Sequence, residues 1–529
     1  MPDRNPRLAR SAGLFGLATM ASRILGLARD QVLAYYFGAG DAMDAFRVAF
    51  RVPNLVRDLF AEGAMSAAFV PTFTRELATA GKPRAWQLAN SVLSALVLIT
   101  GGLVIVAMVF AEPLVRFYAT EFSRVPGKLE LTVSLARIMA PFLTLVALAA
   151  IFMGMLNALG HFFVPALSPA MFNVATIVMA IVGVPLAPSL GVEPIVIVAI
   201  ATLVGGLGQL AVQWPPVSRE GYRFRPALNL RDPALSRVLL LMGPGTIGMA
   251  ATQINVLVNT QFAAGEGTGA ISWLDYAFRV MYLPIGLFGV SIAAASTPAL
   301  ARIAAAGDMP RMQSTVGHAI GLMLALNIPA TLGLIVLANP IVALIFEHGN
   351  FTASDTEATA VALQYYAIGL VGYSVVRIVS PAFYALHKSH VPVAASVISV
   401  AANVALNVVF VRVMGYAGLA LGTSLAAIIN AAFQIVLLRR GIGGIDGRHL
   451  AISFLKIALA SAVMAGAAVL AERWFDQLLP GDALPLQAVR VFGSIAVAVA
   501  ALTAAGFILR VREFERARDL IVARLGRAR

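Results

Sequence analysis

The sequence predicts an all-α polytopic membrane protein. It would have fourteen transmembrane helices in two six-helix lobes, related by a pseudo-two-fold axis normal to the membrane, followed by two C-terminal helices. Three observations predict this. Hydrophobic residues make up 59% of the 529 and charged residues only 12%, about half the charged share of a soluble domain. The apolar residues fall into stretches of about 20, the length that crosses a bilayer. Two motifs recur at one offset of 227: Asn157-Ala-Leu-Gly-His-Phe-Phe-Val-Pro165 with Tyr384-Ala-Leu-His-Lys-Ser-His-Val-Pro392, and Pro71-Thr-Phe-Thr-Arg75 with Pro298-Ala-Leu-Ala-Arg302.

The spans are placed at 11–37, 43–73, 86–111, 131–158, 162–186, 193–216, 236–263, 269–300, 314–346, 357–385, 391–413, 416–438, 450–473 and 486–509. Arg4, Arg7 and Arg10 before an apolar run resemble a signal peptide. The run continues past Arg23 to Phe37, however, so it is read as the first transmembrane helix. Pro53 and Pro284 interrupt the second and eighth spans. Proline is tolerated where the freed carbonyl meets a neighbouring helix or water, which suits cavity-lining helices.

With the N-terminus inside, 24 of the 39 Lys and Arg lie in cytoplasmic segments, 6 on the opposite side and 9 within spans. That asymmetry supports the span count and places both termini in the cytoplasm. It also accounts for the net charge of +13 without a nucleic-acid partner. The offset carries the second helix onto the eighth, so the repeat unit is six helices. An even number of spans returns the chain to its starting side, which makes the halves parallel repeats. The expected domains are 1–225, 226–445 and a C-terminal helix pair with a basic tail at 446–529. A central cavity would be lined by helices 1, 2, 7 and 8.

The charges inside the spans gather on those helices. On helix 2, Asp44, Arg47, Arg51, Asn54, Asp58 and Glu62 recur at spacings of three or four, which keeps them on one face. Arg23, Gly26 and Asp30 form a stripe on helix 1, with Arg29 about 120° round. Helix 7 adds Gln253, Asn255 and Asn259, and helix 8 adds Ser272, Asp275, Tyr276 and Arg279. A charge at a helix centre costs roughly 2.5–3.5 kcal/mol on insertion scales, so this set faces a wet cavity. Arg23, Arg29, Arg57 and Arg279 together suit an anion, because guanidinium matches phosphate bidentately. The competing reading has each arginine paired with a nearby acid (Asp30, Asp58, Asp275), stapling helices. A single pair fits the staple; the concentration at a lobe interface favours a ligand site. Asn403 and Asn407 on helix 11 are read as helix packing before cation binding.

Absences narrow the chemistry. The sequence has no cysteine, its six histidines are scattered, and there is no Gly-x-x-x-x-Gly-Lys-Ser/Thr loop. No metal cluster, catalytic triad or paired-carboxylate site stands out. The expectation is a protein that is not an enzyme, has no cofactor and no ATP site, and draws on a coupling ion or the membrane potential. The C-terminal pair is rich in small residues and carries one internal charge, Lys456, near the cytoplasmic end. That composition suits close packing or a groove for a lipid tail.

Ser22-Arg-Ile-Leu-Gly-Leu-Ala-Arg-Asp30, Phe37-Gly-Ala-Gly40 with Asp44-Ala-Phe46, and Pro53-Asn-Leu-Val-Arg-Asp-Leu-Phe-Ala-Glu-Gly-Ala64 resemble motifs of one family, the MurJ/MviN lipid II flippases of the multidrug/oligosaccharidyl-lipid/polysaccharide exporter superfamily. Ser272-Trp273, Tyr276-Ala277, Arg279, Leu283-Pro284 and Gly286-Leu-Phe-Gly-Val290 are weaker echoes. The resemblance covers nearly the whole chain. It implies transport of the undecaprenyl-pyrophosphate-linked peptidoglycan precursor (lipid II) across a bacterial inner membrane by alternating access. Membrane lipids and the cell-wall synthesis machinery would be its partners, and the terminal pair would hold the lipid tail. It places Arg23, Arg29, Asp30, Asp44, Arg57, Glu62 and Arg279 at the family's important charged sites. The alternatives are a flippase for another polyprenyl-linked glycan and a membrane enzyme acting on the same lipid. One motif departs: the family has Asp-Arg-Leu-Met-Glu where this chain has Phe278-Arg279-Val280-Met281-Tyr282. Asp275, one turn earlier, is the candidate replacement partner for Arg279.

Overall fold

The structure, a computed structural model, describes residues 6–57, 66–229, 231–445, 447–481 and 483–515. All its regular elements are helices. The order is α1 (Pro6–Phe37), α2 (Asp41–Arg57), α3 (Ser66–Val109), α4 (Ala111–Tyr118), α5 (Lys128–Met139), α6 (Phe142–Ala158), α7 (Phe163–Leu167), α8 (Ala170–Gly183), α9 (Pro194–Arg219) and α10 (Pro233–Ala264). Then come α11 (Ala270–Pro284), a π-turn at Ile285–Gly289, α12 (Val290–Ala305), α13 (Met309–Val336), α14 (Ala338–Phe346), α15 (Ala353–Ile368) and α16 (Leu370–Ala385). Last are α17 (His390–Met414), α18 (Tyr416–Gly441), α19 (Gly447–Leu478) and α20 (Leu484–Ile508).

Several expected spans are built from two pieces. α3 holds the end of the second span and all of the third, turning at Gly81 with φ 76°, a conformation glycine adopts without a Cβ clash. The fourth span breaks at Pro141 between α5 and α6, and the eighth continues from α11 to α12 through the π-turn that follows Pro284. Ten helical runs among the described residues are long and apolar enough to cross a membrane. The remaining expected spans are the first, second, seventh and eighth. They are the ones interrupted by charges, by prolines or by residues outside the described set.

The chain separates into two compact units, Met1–Ser272 with Gly349–Phe351, and Trp273–His348 with Thr352–Arg529. By packing, α10 goes with the first unit. In the first unit, Phe69, Phe73, Leu88, Leu235 and Tyr222 are buried together between α3, α6, α10 and the segment after α9. The Tyr222 hydroxyl donates to Asn90 at 2.7 Å. The same Asn90 oxygen accepts the Arg225 N–H, and Ser94 accepts that of Ala227. Side chains of α3 thus satisfy an extended segment that no helix pairs. Gly349–Phe351 joins this unit because Asn350 donates its N–H to Tyr35 O and its side-chain amide to Tyr36 O.

In the second unit, Leu300, Met312, Ile320, Val379 and Leu438 form the core. Small residues let helices approach: a Cβ on Gly372 of α16 would lie 2.8 Å from the backbone of Ala427 on α18. Asn407 donates to Asn403 at 3.2 Å, and Asn403 to Thr423 at 3.3 Å, bridging α17 and α18. Leu337, Met464, Ala468 and Ala498 bury together where α14, α19 and α20 meet. Lys456 reaches the carbonyl of Arg510, as a snorkelling lysine does near a helix end.

Candidate functional site

The charged stripe of α1 splits by environment. Arg23 is exposed, Gly26 is buried against Asn173, and Asp30 is 2% exposed. Arg29 donates to Asp30 at 2.8 Å and lies over the Phe172 ring of α8, 5.3 Å from its centroid. Phe172 in turn packs on Phe50 and Phe142 at 5.7 and 5.5 Å. An aromatic tripod thereby carries the Arg29 guanidinium, and its Asp30 pair lies within α1 itself.

On α2, Asp44 and Arg47 are buried while Arg51 and Asn54 are half-buried. Burial pushes the nearby Tyr118 hydroxyl up to about 12, with the Arg51 charge pulling the other way. Arg57 ends α2, with its side chain outside the described residues; Asp58 and Glu62 lie outside them altogether. On α10, Asn259 donates to Asn255 at 2.9 Å and Gln253 is buried.

Asp44 is held by both backbone and side-chain donors. It has no exposed surface. Its carboxylate accepts the Gly269 N–H at 2.8 Å, the Ser272 N–H at 3.2 Å and the Ser272 hydroxyl at 2.7 Å. These amides open α11, so a side chain of another helix satisfies a helix N-terminus, which favours negative charge. The Lys128 ammonium adds a contact at 3.2 Å to Asp44 and one at 2.7 Å to Asp41, and sits 4.2 Å from the Phe122 ring centroid. Partial burial alone would raise Asp41. Hydrogen bonds from Lys128 and Thr268 and the lysine charge hold it below its usual value. In the sequence Lys128 is one of the six cations on the side opposite the basic segments. Its spacing to Asp44 carries no local signal, because α2 and α5 meet only in the fold.

In the second unit, Asp275 is half-buried and Arg279 exposed one turn further along α11. Trp273 donates its indole N–H to Asp355 at 2.9 Å. Where the acids of the family motif are replaced, Phe278 stacks on Tyr282 at 5.9 Å and meets Tyr366 and Tyr373 edge-on. Arg377 of α16 donates to the Tyr282 hydroxyl and lies 5.6 Å from its ring centroid. Arg377 was one of nine in-span cations in the sequence and stood outside the expected site.

The family described as lipid II flippase MurJ matches residues 33–488. A probable lipid II flippase MurJ of Bdellovibrio bacteriovorus is 35% identical over 521 residues, 98% of each chain. A lipid II flippase MurJ of Burkholderia cenocepacia is 34% identical over 426 residues, 80% of this chain and 82% of that one. Among solved structures, a lipid II flippase MurJ in an inward closed conformation aligns with TM-score 0.77 and 28% identity, covering 94% of this chain and 99% of that one. An inward-facing multidrug resistance MATE family transporter of the MOP superfamily aligns at 0.68 with 17% identity, over 81% of this chain and 98% of that one, a likeness of fold alone.

Proposed function

Since the chain belongs to the MurJ family of lipid II flippases, we propose that it carries the undecaprenyl-pyrophosphate-linked peptidoglycan precursor from the cytoplasmic to the periplasmic leaflet by alternating access. The match to a relative of that name over 98% of both chains carries this reading. The protein is a transporter of the bacterial inner membrane with both termini in the cytoplasm, and performs no covalent chemistry. Its energy comes from an ion gradient or the membrane potential, and the cell-wall synthesis machinery is its partner.

Helices 1–6 and 7–12 act as two lobes, with α19 and α20 holding the lipid tail. Arg23, Arg29, Arg57 and Arg279, with Asp30, Glu62 and the polar residues of α10, take the pyrophosphate and sugars. The Asp44 node supports a closing role on the side opposite the basic loops. Charge-assisted hydrogen bonds to a helix N-terminus are strong enough to hold a state and are exchangeable for water.

The test is complementation in cells depleted of their own lipid II flippase, comparing wild type with Arg29→Ala at matched expression. Growth with wild type and lysis with the variant are expected. Failure of well-inserted wild type would move the assignment to another polyprenyl-linked glycan.

A further inference from the structure

We propose that Arg377 is a further oxyanion-binding residue, presented by Tyr282 for contact with the cargo's head group. The proposal rests on the flippase reading for the identity of the cargo, and on the second unit alone for its geometry.

Arg377 sits deep. Its guanidinium lies against Tyr282, and its Cδ is 3.5 Å from where a Cβ on Gly289 would stand. Tyr282 and Gly289 flank the middle of the helical run from Ala270 to Ala305. At 1.5 Å per residue, Tyr282 is about 18 Å from one end of that run and Gly289 about 24 Å from the other. Arg377 lies on α16 within the apolar run Ala353–Ala385, where a charge favours a polar or anionic partner.

Among the described residues, the polar partner of Arg377 is Tyr282. A phenol is neutral and takes up one of five guanidinium N–H donors. Phe278, stacked on Tyr282, adds only aromatic surface. A helix staple would be served more cheaply by a neutral amide or by an acid opposite the arginine. The chain instead has a cation on an aromatic platform with donors left over. That arrangement orients the fork while leaving its charge available, and the group it matches in shape and sign is a phosphate or carboxylate.

The experiment is lipid binding to the intact, detergent-solubilised protein by native mass spectrometry. The probes are lipid II, undecaprenyl pyrophosphate and the neutral alcohol undecaprenol, tested on wild type, Arg377→Ala, Arg377→Lys and Tyr282→Glu. Wild type is expected to prefer the pyrophosphate lipids. Arg377→Ala should weaken them about tenfold, the range of one charge-assisted contact, and leave undecaprenol unchanged. Lysine should recover part of the loss. Tyr282→Glu should weaken binding as much as Arg377→Ala, because a carboxylate now occupies the guanidinium, while raising the melting temperature. A structural staple predicts the reverse: Tyr282→Glu would bind as well as wild type.

Weakening of both pyrophosphate lipids assigns Arg377 to the pyrophosphate. Weakening of lipid II alone assigns it to the carboxylates of the peptide. Wild-type binding by Arg377→Ala overturns the proposal and leaves the flippase reading standing. Failure of wild type to select lipid II, with an Arg377-dependent preference for undecaprenyl pyrophosphate, overturns the cargo identity and keeps the oxyanion role. No preference for any anionic lipid overturns both.

Discussion

Lys128 and Asp44 are both buried, lie 84 residues apart in the chain, and meet at 3.2 Å. Between them they tie the first turn of α5 to α2, and through Asp44 to the first turn of α11. Removing either charge alone leaves the other buried with part of its compensation, Asp41 for Lys128 and the Gly269 and Ser272 donors for Asp44, so the cost should fall below the roughly 3–5 kcal/mol of a broken buried pair with no other partner.

Asp44→Asn should therefore lower the melting temperature of the solubilised protein and abolish complementation while insertion is retained. Lys128→Met should do likewise. The double variant should recover most of the stability and none of the transport. Additive losses in the double variant would show that the two charges are not coupled.

Arg29→Ala, Arg23→Ala and Arg279→Ala are each expected to stop transport with normal membrane levels. Lysine at 29 should rescue only in part, since it keeps the charge over Phe172 and loses the planar fork. Lipid II translocation in vesicles or complementation measures this, and normal transport in any variant removes that residue from the site.

Gly205→Leu should destabilise by about 1–3 kcal/mol through overpacking, because a Cβ at 205 would lie 2.8 Å from Cα of Phe172. Phe172 carries Arg29, so transport should fall further than in a variant of equal stability placed elsewhere. Thermal unfolding paired with complementation separates the two effects.

Asp275→Asn tests the departed motif. Loss of transport is expected if Asp275 has taken over as partner to Arg279, one turn on. Unchanged transport and stability would exclude that role.

Acid should loosen the basic face of the first unit. Glu220 is held below its ordinary value by hydrogen bonds from His161 and Lys82, against slight burial. Asp232 is held down by Arg84 and the Ala234 N–H, against the burial that would raise it. Both folded pKa values are depressed, so their stabilisation is present above the unfolded values of 4.5 and 3.8 and lost as pH falls through the folded ones. Melting temperature should drop below about pH 4.5, and less so in Glu220→Gln.

Much of the molecule was legible in one dimension. Hydrophobic length marks a span because a bilayer has a fixed thickness, and a stripe such as Asp44, Arg47, Arg51 shows itself because a helix repeats every 3.6 residues. The family motifs, the charged helix 2 and the proline-interrupted helix 8 all follow from such local rules. Pairings between segments far apart in the chain required the packed helices. Lys128 on Asp44, Phe172 beneath Arg29 and Tyr282 under Arg377 leave no periodic trace, because each partner was chosen by the packing of another helix. Composition and periodicity are enough to place charges inside membrane spans. The fold sets which are met by an acid, which by a helix terminus, and which by an aromatic face.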